Sequence, residues 1–261
     1  APGAQSGGRI VGRISGSEAD RFGLSLPGID PPPVDREAPR LDEAALAAYY
    51  RDQYRRDHAI DASFAYDETF FRLRLFREFA DARRVLLDQD LGAARTLLEY
   101  GSGFGAFLDA VHRSHPHLVL AGVEPDVSNR TRLCEGAGVR FVEDACLAGA
   151  GPFDVVCSFH TLEHVLDPRE TLERLGRTLR ADGVLVIEVP ALDGEGASWR
   201  DIFPAHLSYF TEASLERLLT RAGFGSVTVS HHPRADLLPG TLWARASSHD
   251  ALAREARRAD R

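Results

Sequence analysis

The 261-residue sequence contains no methionine and no lysine, and only three cysteines, Cys134, Cys146 and Cys157. Without lysine every fixed positive charge is an arginine, and no function follows from that bias. The cysteines fall in helix-like, loop-like and strand-like stretches with no metal-ligand spacing, so reduced thiols in a reducing compartment are expected and zinc is not. No run of about 18 apolar residues could cross a bilayer, and the first thirty residues lack the apolar stretch of a secretory signal. The expectation is a cytoplasmic protein with no membrane partner. Basic charge is also in short supply: 31 Lys+Arg stand against 39 Asp+Glu, a net charge of -8. An acidic chain with no basic stripe argues against nucleic acid as a partner. A small-molecule substrate fits better, and a homodimer is left open.

Apolar content is ample at 44%, enough for one main α/β domain with an appendage. Residues 1–40, rich in Gly, Pro and Ser and including Pro31-Pro32-Pro33, read as a flexible tail. Residues 41–94 have helical spacing, with Leu46, Tyr49, Tyr50 and Tyr54 followed by Phe71, Leu75, Phe76 and Phe79, and are expected to form a helical extension or lid. Tyr49, Tyr50, Tyr54 and Arg55 either pack as core or close over a carboxylate or phosphate, which an arginine fork pairs well. Residues 95–247 change to short apolar runs alternating with amphipathic stretches, the pattern of βαβ units. Strands are expected at Thr96–Tyr100, Val119–Val123, Val139–Val142, Asp154–Phe159, Val184–Val189, Val227–His231 and Thr241–Ala246, and helices at Gly105–Ser114, Val127–Ala137, Pro168–Arg180 and Glu212–Ala222. The predicted fold is a Rossmann-like, doubly wound, seven-stranded, mostly parallel sheet. The Pro233–Pro239 loop is too short for a crossover helix, so the last strand should return antiparallel at the sheet's edge. Residues 248–261 read as a charged tail or helix.

The first strand, TLLEY, runs directly into Gly101-Ser102-Gly103-Phe104-Gly105 and a helix. Backbone N–H groups and a helix N-terminus therefore meet at the carboxyl edge of the sheet, where small ligands bind. Gly101, Gly103 and Ala106 also satisfy the G-x-G-x-x-A form of a dinucleotide fingerprint, so an NAD-dependent oxidoreductase stays open on the turn alone. The second strand ends in Glu124, 23 residues beyond Gly101 (124 minus 101), where a carboxylate can accept both hydroxyls of a ribose. Asp144 follows the third strand and could accept a hydrogen bond from an adenine amino group.

With these residues in place the sequence resembles the class I S-adenosylmethionine-dependent methyltransferases over roughly residues 96–245. The resemblance rests on E-Y-G-S-G-F-G from Glu99, G-V-E-P-D from Gly122, E-D-A from Glu143, F-D-V-V-C-S-F-H-T-L-E-H-V-L-D-P from Phe153 and L-R-A-D-G-V-L-V-I-E-V-P from Leu179. It implies S-adenosyl-L-methionine as cofactor, with Glu99, Tyr100, Gly101, Ser102 and Gly103 around its methionine part. It further implies Glu124 and Pro125 at the ribose, Asp144 and Ala145 at the adenine, and Ser158, Phe159 and His160 along the sulfonium side. A cationic sulfonium tolerates Glu99 beside the first glycine; a dinucleotide suits it less.

Methyl transfer is an in-line displacement in which the protein chiefly aligns the nucleophile and excludes water. A hydroxyl or acidic carbon acceptor also gains from a base, for which histidine suits neutral pH. The candidate catalytic residues are His160, His164, His206 and Tyr209, with His231 as a further histidine at the same edge. His160 and His164 stand one helical turn apart around Glu163, but the order is not H-E-x-x-H and the sequence shows no third ligand, so no metal is expected. The segment from His206 to Thr211 resembles the H-L-x-Y-F-[ST] signature of sugar C-methyltransferases and related enzymes of polysaccharide and antibiotic pathways. In those enzymes the histidine belongs to an H-E-H triplet; here the triplet reads Pro204-Ala205-His206, and their cysteine-rich zinc module does not precede the core. Thr211 should cap the following helix, but Ser214 stands where Glu or Gln would complete a capping box. The resulting expectation is methylation, O- in preference to C- or N-, of a sugar, nucleotide-sugar or secondary metabolite. A cofactor-binding scaffold without turnover is the alternative from another class.

Overall fold

Alternation along β1 (Thr96–Tyr100) sets the layering, because successive side chains of a strand point to opposite faces. Leu97 belongs to a core with Val155, Cys157 and Val186, while Leu98 and Tyr100 belong to a second core with Val156 and Ile187. The first core is closed by Leu87, Leu91, Phe107, Leu108 and Val111, and the second by Leu172, Leu175, Leu215 and Leu219. Helices α1 (Arg74–Leu86), α2 (Asp88–Ala93) and α3 (Ala106–Ser114) thus bring apolar residues to one face, and α4 (Pro168–Thr178) and α5 (Glu212–Arg221) to the other. Most of these leucines are fully buried, each contributing about 1.5–3 kcal/mol of transfer free energy.

The computed structural model describes residues 48, 74–126, 129–130, 138–193 and 206–248. The expectations for residues 1–40, for Tyr49, Tyr50, Tyr54 and Arg55, for Cys134, for nearly all of the 127–137 helix and for the chain beyond 248 lie outside the described residues. Among the described residues the other strands are β2 (Val119–Val123), β3 (Arg140–Phe141), β4 (Phe153–Phe159), β5 (Leu179–Pro190), β6 (Phe224–His231) and β7 (Thr241–Ser248). They form one sheet in the order β3-β2-β1-β4-β5-β7-β6. β1 pairs in parallel with β2 and β4, and β4 with β5, which places the carboxyl ends of β1, β2 and β4 along one edge. Asp154 pins the opposite end, accepting from the backbone N–H groups of Arg95 and Thr96 at 2.8 and 2.9 Å and pairing with Arg180 at 2.8 Å.

The sheet corrects one expectation. β7 is antiparallel, but it lies between β5 and β6 rather than at the edge. The side chains explain the placement: Leu242, Ala244 and Ala246 of β7 are fully buried, whereas β6 alternates between covered and exposed positions, as suits a strand with one open side. The helix starts are built from local polar groups. Asp167 caps α4 by accepting from the Glu170 N–H at 2.9 Å, with Pro168 at the first helical position. Ser214 completes the capping box of α5, its hydroxyl accepting from the Thr211 N–H at 2.8 Å while Thr211 Oγ1 accepts from the Ser214 N–H at 3.2 Å. A serine hydroxyl therefore does what the sequence pattern reserves for Glu or Gln.

Candidate active site

The carboxyl edge of β1, β2 and β4 opens into a cleft of about 1210 Å³, more than the roughly 300–1000 Å³ of an ordinary ligand pocket and room for two molecules side by side. One half is built on the glycine turn. Gly101 has φ +78°, and a Cβ there would lie 2.1 Å from Thr161 Oγ1. The turn is thus pressed against the segment that follows β4, and only glycine meets both demands. Gly103 has φ +51° with open space where its Cβ would project, leaving the backbone accessible to a ligand.

Three carboxylates border this half. Glu124, 7% exposed, accepts from the Gly103 N–H at 2.8 Å and the Asp126 N–H at 2.9 Å, which fixes both oxygens of a carboxylate that lines the cleft. Burial raises its carboxyl above the ordinary carboxylate value against these hydrogen bonds. Asp144 takes the Arg174 guanidinium on Oδ2 at 2.9 Å, while its buried Oδ1 has no hydrogen-bond partner. Glu99 is buried with Oε2 equally unpartnered, and burial pushes its carboxyl up to about 8 against the opposing charge of Arg83. The unpartnered oxygens of Asp144 and Glu99 fit a ligand that brings N–H or O–H donors, and a cationic group beside Glu99 favours its ionised form. An adenosine carrying a cationic methionine therefore fits the residues present.

A second group of charges lies beneath the opposite half. Glu188 of β5 is fully buried and receives both arms of Arg83, as well as His160 Nε2 at 3.0 Å and His232 Nε2 at 3.2 Å. Burial alone would raise its carboxyl, but the Arg83 charge and these hydrogen bonds hold it well below the usual range. Arg83 also lies 4.7 Å over the Phe159 ring. His160, at φ +46°, is one of the strained residues that collect at functional sites. Burial opposes its charge, yet Glu163 and Glu188 outweigh that and raise it to about 9. His160 is therefore a cation at neutral pH and a poor proton acceptor.

Beyond Thr161 a short 3₁₀ turn, Leu162–His164, carries Glu163, which is 1% exposed and has no hydrogen bond on either carboxylate oxygen. The Leu207 and Ser208 N–H groups donate to its carbonyl at 2.7 and 3.1 Å, which brings His206 to within 4.8 Å of His164, ring centre to ring centre. The sequence showed no third donor near His164 and Glu163; the fold supplies one, and the ligand atoms of Glu163, His164 and His206 lie within 4.8 Å of one another.

The cleft gathers nearly all the residues expected there. Tyr100, Ser102, Pro125, Ala145, Phe159 and His160 line it along with the residues above. Ser158 does not: it is fully buried within β4. Tyr209 stands behind His206 with ring centres 6.2 Å apart, and His231 pairs instead with Glu212 at 3.7 Å on the far side of the sheet order. Sequence reasoning passed over Arg83, Glu188, Thr161 and Arg174. Arg83 carried the one available signal, since Phe76, Phe79 and Arg83 follow three- and four-residue spacing and all face the cleft.

Known proteins resemble this chain in sequence and in fold. Residues 71–229 match a family model described as a methyltransferase domain. The ubiquinone biosynthesis O-methyltransferase of Caulobacter vibrioides is 34% identical over 133 residues, covering 44% of this chain and 50% of that protein. The chain thus spans about half the length of the curated relative it matches. Among solved structures, the plantazolicin methyltransferase BpumL in complex with S-adenosylhomocysteine and a monoazolic desmethylPZN analogue superposes with TM-score 0.57 at 15% identity, covering 79% of this chain and 94% of that one. An S-adenosylmethionine-dependent methyltransferase from Archaeoglobus fulgidus superposes with TM-score 0.55 at 20% identity, covering 72% and 100%. At such identities the superpositions speak to the fold alone.

Proposed function

We propose, starting from the fact that this chain belongs to the class I S-adenosylmethionine-dependent methyltransferases, that it methylates a hydroxyl oxygen on a small-molecule acceptor bearing an apolar ring. Family membership removes the dinucleotide reading that Gly101, Gly103 and Ala106 left open. When bound, the cofactor supplies an electrophilic methyl on a cationic sulfur. Gly101 and Gly103 let the backbone approach its methionine part, Glu99 faces that part's positive charge, Glu124 accepts the ribose hydroxyls, and Asp144 Oδ1 accepts from the adenine amino group.

One observation carries the choice of a hydroxyl: His164, three residues beyond the Thr161 that packs on the cofactor turn, stands with its ring centre 4.8 Å from that of His206. A hydroxyl held at this corner would face the cofactor's methyl, and His164 and His206 would take up the charge or proton that the hydroxyl sheds as its oxygen is methylated. His160, held protonated by its two carboxylates, is excluded as the base and serves instead to position the loop. Phe76, Phe79 and Leu238 form an apolar wall of the same cleft and support an aromatic or similarly apolar-faced acceptor over a bare nucleotide-sugar. The name of the Caulobacter relative, an O-methyltransferase, supports oxygen as the target.

The test is turnover of the full chain with S-adenosylmethionine against two panels, catechols and other phenols on one side and nucleotide-sugars on the other, measuring S-adenosylhomocysteine and locating the methyl by NMR. O-methylated phenols are expected, and His206→Ala should lower kcat by about 10²-fold or more with little change in cofactor affinity. Methylation of carbon or nitrogen, or of sugars alone, refutes the proposal; cofactor binding without turnover on either panel favours a scaffold.

A further inference from the structure

We infer that Glu163, His164 and His206 form a site for one divalent cation of the zinc or ferrous class, at the acceptor end of the cleft. The first observation is Glu163 itself. A carboxylate 1% exposed with no hydrogen bond on either oxygen is costly unless something balances it. The His160 imidazolium, with Nδ1 at 3.5 Å, supplies a counter-charge, but it and His164 Nε2 at 3.8 Å stand beyond good hydrogen-bond distance, so both oxygens of Glu163 keep lone pairs for a closer ligand.

The second observation is the arrangement of the donors. One oxygen and two imidazole nitrogens already lie within 4.8 Å of one another. Around a tetrahedral zinc with bonds of about 2.0–2.1 Å the ligand atoms stand about 3.3 Å apart, so the largest gap closes by roughly 1.5 Å, within reach of side-chain torsions. The backbone does not have to move: the hydrogen bonds from Leu207 and Ser208 to the Glu163 carbonyl already clamp the His206 loop to the turn that carries the other two donors. This is pre-organisation of a kind that ligand sites need.

Two imidazoles and one carboxylate suit zinc, ferrous iron and their neighbours, whereas magnesium and calcium prefer oxygen throughout. All three residues line the cleft, so the remaining coordination positions open toward the acceptor, as in catalytic rather than structural sites. A hydroxyl bound there ionises near neutral pH. Its proton goes to solvent before the methyl arrives, and His164 and His206 act as ligands rather than as bases. That role rests on the O-methylation reading; the binding of the cation does not.

The experiment uses the full, tag-free chain stripped with chelator, titrated with Zn2+ by equilibrium dialysis and elemental analysis, and with Co2+ by its visible ligand-field spectrum. One Zn2+ per chain is expected, with a Co2+ spectrum of low coordination number and no competition from Mg2+ at equal concentration. His206→Ala and Glu163→Gln should each weaken Zn2+ binding by more than the roughly 10–100-fold that loss of an outer-shell partner costs. Calorimetry with S-adenosylhomocysteine should show the variants still folded, with cofactor affinity within about threefold of the parent. Substoichiometric Zn2+ in the parent chain, or equal Zn2+ affinity in parent and variants, overturns the cation site. Failure of the parent chain to bind S-adenosylhomocysteine overturns the reading of the cofactor half and leaves the cation result standing on its own.

Discussion

Replacing Glu99 by glutamine tests the electrostatics of the cofactor half before any ligand is added. Glu99 is 4% exposed, and burial moves its carboxyl from an ordinary 4.5 to about 8. In the unfolded chain the group ionises near 4.5, whereas in the folded chain it keeps its proton until about 8. The folded state therefore binds the extra proton between those values, and this group's contribution to stability falls as pH rises through that window. At pH 7 the interval is 2.5 units (7 minus 4.5), which at about 1.4 kcal/mol per unit costs on the order of 3 kcal/mol. Glu99→Gln, nearly isosteric and unable to ionise, should remove the cost. Urea unfolding of both proteins at pH 5 and pH 7 is the assay: the parent should lose on the order of 3 kcal/mol relative to the variant over that interval. Parallel pH profiles for the two proteins would refute the reasoning. A cationic ligand beside Glu99 favours its ionised form, so cofactor binding at pH 7 should release close to one proton in the parent and fewer in the variant, seen as buffer-dependent heats in calorimetry.

Two further substitutions separate scaffold from contact. Gly101→Ala adds a Cβ 2.1 Å from Thr161 Oγ1 to the strain of φ +78° and should cost about 2–3 kcal/mol of stability, whereas Gly103→Ala meets no atom and carries only the strain of φ +51°, about 1 kcal/mol, with a further loss of affinity for S-adenosylhomocysteine; the reverse order in thermal melts and calorimetry would count against the assigned roles. Glu188→Gln leaves Arg83, 13% exposed in its side chain, without its full counter-charge, for an expected loss of about 3–5 kcal/mol, and the His160 imidazole should titrate well below about 9 by NMR; an unchanged His160 titration would show that Glu163 alone holds its proton.

How much of this could be read from the chain depends on how local the cause is. β1 and β2 fall on their expected residues because each is an apolar run bounded by polar or turn residues. Glu124 and the glycine turn were legible because a strand end, a tight turn and a helix start are consecutive in sequence. The position of β7 was not legible, because a short loop fixes its direction but not its neighbours; burial of Leu242, Ala244 and Ala246 decides that. The Arg83–Glu188 pair joins residues 105 positions apart, and no window of sequence contains both. His206 likewise reaches His164 from 42 positions downstream (206 minus 164), through backbone bonds to Glu163 that no side-chain pattern announces.

The position of α1 joins these findings. Its Ala80 is buried in the same core as Leu97 and Phe107, and Ala82 is buried as well, so the helix is held to the sheet by packing and not only by the chain that leads into it. From that fixed seat it sends Arg83 inward to Glu188, which in turn helps keep His160 protonated, and it sends Phe76 and Phe79 to the cleft wall. One helix therefore couples the charge that shapes the loop after β4 to the apolar surface that faces the acceptor, while the cofactor half rests on the ends of β1 and β2 and meets this helix through the charge of Arg83 acting on Glu99. The acceptor half and the cofactor half are thus carried by different elements that meet at Gly101 and Thr161.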